Sequence, residues 1–115
     1  MEHTIKAPAK AKNGNTVHLS ITGKRVYFKI GGKRIAFLIH PANENDLSHN
    51  RELLLTHFNS GQKVKSLTPA RLSLSRSYVR YSSRDLAQYT LDQIEERIGV
   101  NAMLEKFASV EPINK

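Results

Sequence analysis

The residues of this chain best able to do chemistry are its cations. Eighteen Lys and Arg stand against ten Asp and Glu, a formal net charge of +8. In residues 20–40, two short apolar runs are each introduced by a basic pair, Lys24-Arg25 and Lys33-Arg34. A second series, Arg71, Arg76, Arg80 and Arg84, falls at near-regular spacing among Ser and Tyr. Guanidinium binds phosphate through paired hydrogen bonds, so arginines interleaved with aromatics suit a phosphate backbone and its bases. The charge is also segregated. Residues 1–40 hold eight Lys and Arg against Glu2 alone, and residues 63–84 hold six with no acid. The segments between and after them, 41–62 and 85–115, are net acidic. Such a layout favours a polyanionic partner over an evenly solvated surface.

The histidines are the other candidates. His40, His49 and His57 lie near Glu44 and Asp46, a set that could offer metal ligands or, with arginine, general acid–base cleavage of RNA. No HExxH or comparable spacing supports either, so the sequence assigns no catalytic residue, no metal ligand and no cofactor. The stretch ITGKRV, residues 21–26, lacks the glycine frame of a phosphate loop. The chain has no cysteine, which excludes disulfides and thiolate chemistry. No apolar run approaches the ~20 residues of a membrane span. The first fifteen residues have no hydrophobic signal core, and a cytoplasmic setting is expected.

The elements that must position these groups follow from periodicity. Residues 1–14 mix Ala, Lys, Pro, Asn and Gly and read as a disordered basic arm, with 15–110 a single α+β domain and 111–115 a flexible tail. Residues 16–22 alternate strictly, Gly23-Lys24 reads as a turn, and residues 25–30 alternate again. Gly31-Gly32 signals a hairpin into a third strand ending at Pro41. This three-stranded antiparallel meander would bury Val17, Leu19, Ile21, Val26, Phe28, Ile30, Ile35, Phe37 and Ile39. The opposite face would carry His18, Ser20, Arg25, Tyr27, Lys29, Arg34, Ala36, Leu38 and His40.

A helix is expected next, capped by Asp46 or Ser48, with Leu47, Leu54, Leu55 and Phe58 near one face and Gly61 past its end. Residues 69–81 read as a strand re-phased by a bulge near Ser75–Ser77, a helix starting at Pro69 being the competitor. Ser82 and Asp85 have capping-box spacing before a helix striped by Ala87, Leu91, Ile94 and Ile98. Gly99 ends it, and Asn101 can cap a last helix with Met103, Leu104 and Phe107. The expected order is β-β-β-α-β-α-α, an α+β domain with helices on one face of the sheet.

Fold and charge together point to a small non-enzymatic nucleic-acid-binding or accessory protein, DNA or RNA being equally compatible. The contact residues would be Lys24, Arg25, Tyr27, Lys29, Lys33, Arg34, Arg71, Arg76, Arg80 and Arg84. A protein-interaction module (an inhibitor or adaptor using the acidic helix or a sheet edge) is the alternative. A small ribonuclease-like enzyme using His40 or His57 is the third.

Overall fold

The computed structural model describes residues 2–10, 12–43, 51–74, 81–109 and 114. It contains a five-stranded antiparallel sheet in the order β1-β2-β3-β4-β5, followed by helices α1, α2 and α3. The strands are β1 (Glu2–Lys10), β2 (Thr16–Ile30), β3 (Lys33–Pro41), β4 (Leu53–His57) and β5 (Lys63–Ser66). The helices are α1 (Thr68–Leu74), α2 (Ser83–Ile98) and α3 (Val100–Ala108).

The α+β class and an antiparallel meander are as the alternation predicts, the meander being formed by β1, β2 and β3 rather than by three strands within residues 16–40. Gly31 and Gly32 turn the β2–β3 hairpin with φ of 57° and 82°, the left-handed pair that a two-residue turn requires. Four expectations are corrected. Residues 2–10 are not a disordered arm: they pair as β1 along the first half of β2, from Glu2 opposite Lys24 to Lys10 opposite Thr16. Gly23-Lys24 is not a turn, because β2 runs through it for 15 residues and changes partner there, from β1 to β3. The three leucines of residues 53–55 belong to a strand rather than a helix, since a short strand buried on both faces reads as a continuous apolar run. Residues 68–74 form a helix, where Pro69 in the first turn supplies a preset φ and loses no intrahelical bond. The expected cap residues Asp46 and Ser48, Leu47, and the expected bulge at 75–77 lie outside the described residues.

The continuity of β2 divides the sheet into two apolar faces. On the first, Val26, Phe28 and Ile30 join Phe37, Ile39 and Leu55 in one buried cluster with Leu67, Ala70, Leu86, Ala87, Leu91 and Met103. Here the Phe37 ring meets the edge of Phe107 from α3, with centroids 5.4 Å apart. On the second, Ile5, Leu38 and Phe58 form a smaller cluster flanked by Ile21 and Ala36. Ile21 therefore packs opposite to Val26 and Phe28, because an uninterrupted strand keeps odd and even residues apart. His18 and Ser20 move to the first face for the same reason, and Val17 and Leu19 are exposed rather than buried.

The C-terminal helices follow their sequence signals closely. Ser82 Oγ accepts from the Asp85 amide at 3.2 Å and Asp85 Oδ2 accepts from the Ser82 amide at 3.1 Å, closing the capping box. Ala87 and Leu91 are buried, Ile94 is half-buried, and Ile98, at the end of the stripe, is exposed. Gly99 itself, not Asn101, stands at the start of α3 and supplies no side-chain cap. Truncating Ile5→Ala or Leu91→Ala should each cost about 2–5 kcal/mol, read from denaturant midpoints. A silent Ile5→Ala would return residues 2–10 to the status of an arm.

Candidate nucleic-acid interface

Of the cations singled out by the sequence, Arg25, Lys29 and Arg34 share the second face with Tyr27. Alternation along β2 aligns Arg25, Tyr27 and Lys29, and the β2–β3 register sets Lys29 opposite Arg34 and Tyr27 opposite Ala36. Arg34 lies over the Tyr27 ring, its guanidinium carbon 4.0 Å from the centroid. The Arg25 guanidinium is 5.3 Å from the same ring and 5.5 Å from that of Phe58. Both distances are within cation–π range, so each arginine rests on an aromatic rather than ranging freely. Lys29 and Arg34, like charges directly opposite, repel one another.

These groups border a cleft of about 530 Å³ lined by Arg25, Tyr27, Lys33, Arg34, Ile35, Ala36, His57, Phe58, Asn59, Leu104, Phe107 and Ala108. Its position follows from strand length. β4 ends at His57, so the Lys33–Ala36 end of β3 is paired on its other side with β2 alone, apart from the Phe58 amide donating to the Ala36 carbonyl at 3.1 Å. The cleft opens along that edge, between Phe58 and Asn59 on one side and the end of α3 on the other. Among the described residues three cations line it and no carboxylate does.

The remaining predicted contacts are placed elsewhere. Lys24 points to the first face, opposite Ile39, and borders a different groove with Arg51 and Glu2. Arg71 donates through Nη1 to the Arg51 carbonyl at 3.1 Å. Arg84 lies over the ring of Phe28, 4.5 Å from its centroid, and donates to the Tyr27 carbonyl at 3.2 Å. Phe28 belongs to the first face, so Arg84 does not join Arg25 and Arg34 across the sheet. Arg76 and Arg80 lie outside the described residues. The sequence reading missed Phe58, Asn59, Leu104 and Phe107 as cleft residues. In the sequence, Phe58 and Asn59 read as part of a helix, and Leu104 and Phe107 carry only a core signal.

His40 and His57 do not assemble into a pair, and Glu44, Asp46 and His49 lie outside the described residues. His40 is buried on the second face, with Nε2 2.7 Å from Thr56 Oγ1 and Nδ1 3.1 Å from the Pro41 carbonyl. If Nδ1 carries the proton and donates to that carbonyl, Nε2 accepts from the threonine hydroxyl. His57 is buried on the first face, stacked on Phe107 with centroids 4.8 Å apart, its Nδ1 2.8 Å from Ser60 Oγ. The rings thus emerge on opposite sides of adjacent strands, and no general acid–base pair is formed between them. Among the described residues no group of three or more His, Asp or Glu is arranged to hold a metal ion.

Comparison with protein-family models, with curated proteins and with solved structures gives no match. Among the described residues no helix is long and apolar enough to cross a membrane.

Burial pushes the pKa of His57 below the ordinary 6.5 by penalising its charged form. The unfolded chain then binds a proton that the folded chain refuses. The stabilisation is complete above pH 6.5 and is lost as pH falls below 6.5 and through the folded-state pKa. Its slope in that window approaches at most about 1.4 kcal/mol per pH unit. His57→Phe keeps a ring against Phe107 and cannot titrate. Urea denaturation from pH 7.5 to 5 should show a flatter acid limb for this variant than for the unaltered protein.

Proposed function

We propose that the protein binds nucleic acid at the open β3 edge of its sheet, with Arg25, Lys29 and Arg34 on the second face and Lys33 on the other side of that edge contacting phosphates, and Tyr27 holding the arginines in place. The observation that carries this reading is the cleft itself, which among the described residues is lined by three cations and no carboxylate. The cross-strand repulsion between Lys29 and Arg34 supports it, because a phosphate set between them converts a destabilising pair into two favourable contacts. Solubility alone calls for dispersed charge of both signs and does not require cations opposite one another. The net charge of +8 supplies the long-range attraction that brings a polyanion to such a face. A cytoplasmic, cysteine-free setting fits this role, and the protein is proposed to act by binding rather than by catalysis.

The reading of a protein-interaction module has no comparable support. Of the four acidic residues of α2, Asp85 closes the capping box, Glu95 and Glu96 stand beside Arg97, and Glu96 borders a smaller groove that it shares with Lys65 and Arg97.

Salt dependence tests the proposal. Affinity for an oligonucleotide should fall steeply with salt, since each neutralised phosphate releases condensed counterions. Changing Arg25, Lys29 and Arg34 together to Ser should flatten the slope of log affinity against log salt by roughly 0.7–0.9 per lost contact. The fold should be retained, because Arg25, Lys29 and Arg34 are exposed. The control is removal of Lys6 and Lys12, which lie outside the cleft lining. Equal losses from both changes would show generic adhesion of a basic protein and end the proposal.

A further inference from the structure

We infer that the cleft at the β3 edge receives an unpaired base, so that the preferred ligand is single-stranded rather than duplex nucleic acid. This rests on the proposed function and names the form of nucleic acid that the same site takes. The cleft has an apolar floor that wraps the open β3 edge: Ala36 lies on the face of Arg25 and Arg34, while Ile35, Leu104 and Phe107 belong to the opposite face with Lys33. A phosphate placed on that floor would give up its hydration and gain no hydrogen-bonding partner. A nucleobase does the reverse: its ring faces lose water favourably, and the phosphate that follows it reaches the neighbouring cations. The volume of about 530 Å³ falls in the range of about 300–1,000 Å³ usual for small-molecule sites, ample for a base and its sugar.

Two features match the polar edge and the π-face of a base. Asn59 is exposed at the cleft wall, and its side-chain amide carries both a donor and an acceptor, as base edges do. Arg34, held on Tyr27 at 4.0 Å, adds a planar cation of the kind on which unstacked bases settle. In a duplex, base faces are covered by their neighbours, and a base would enter only after unstacking at an energetic cost. The cleft therefore discriminates by strandedness, without reading sequence.

The test uses the full chain and three fluorescently labelled probes at one salt concentration. These are an oligothymidylate, an abasic oligonucleotide of equal length and charge, and a duplex. The oligothymidylate should bind at least about fivefold more tightly than the abasic strand, the lower end of what one stacked base contributes. Ala108→Leu narrows the cleft from an exposed position at the end of α3. It should erase that margin, bringing the affinities for oligothymidylate and abasic strand together. Should Ala108→Leu fail to fold, the comparison of thymidylate with abasic strand in the unaltered protein decides alone. Equal binding of all three probes, still weakened by the Arg25, Lys29 and Arg34 change, would overturn the base pocket and leave the nucleic-acid reading standing. Tighter duplex binding would do the same. Binding to none of the probes would overturn both, as would displacement of the oligothymidylate by an equal concentration of a polyglutamate peptide.

Discussion

Everything in this fold depends on β2 passing through residue 23 without a break. At that residue the strand exchanges one neighbour for another, and the end of β3 comes so close that a Cβ on Gly23 would stand 2.7 Å from His40 Cβ and closer still to the Ile39 carbonyl oxygen. Only glycine permits the approach, and only an unbroken strand carries a single side-chain parity along all 15 residues. That parity places Ile21 on the same side as Arg25, Tyr27 and Lys29. The cationic face is thereby given an apolar foundation of Ile5, Ile21 and Leu38, instead of being a bare solvated surface.

The cations on that foundation are restrained. A free arginine loses rotamer freedom when it binds, and part of that loss is met in advance when its guanidinium already rests on a ring. Arg34 on Tyr27 and Arg25 between Tyr27 and Phe58 are in this state. Arg84 uses the same interaction for a different end. Seated on Phe28 and bonded to the Tyr27 carbonyl, it ties the first turn of α2 to the strand and serves the fold. Residue type alone does not separate these roles; the parity of the ring beneath each guanidinium does.

Much of the architecture could be read from the chain before its coordinates. The Gly31-Gly32 hairpin, the alternation of residues 25–30 and 33–39 and the capping box of α2 are local signals, set by dihedral preference and short-range hydrogen bonds. The failures share a different cause. His3, Ile5, Ala7 and Ala9 do alternate with Thr4, Lys6 and Pro8, but small and charged residues make that signal faint, and β1 is stable because Ile5 meets Leu38 and Phe58 from distant segments. The leucines of residues 53–55 fit a helix or a doubly buried strand equally well until the sheet that covers both faces is known. Gly23 looked like a turn residue because its real purpose, the close passage of β3, is a tertiary contact. The cleft was half legible for the same reason: Arg25, Tyr27 and Arg34 follow from alternation, whereas Phe58, Asn59 and Leu104 reach it only through long-range packing.

Asn114 has a consequence for how copies of this protein meet one another. Its side-chain amide accepts from the Lys6 amide and donates to the Lys6 carbonyl, both at 2.8 Å, imitating one rung of a further strand on the outer side of β1. Since both backbone groups of Lys6 point away from β2, those of Pro8 do too, and there the amide hydrogen is missing altogether. The Gly61 backbone also crowds the same place, so close that a Cβ there would come within 2.9 Å of Ala7 Cα. A false rung, a missing donor and a neighbouring turn leave this border of the sheet a poor template for a strand from another molecule. The contact that fastens Asn114 to Lys6 thus also disfavours edge-to-edge pairing along this margin.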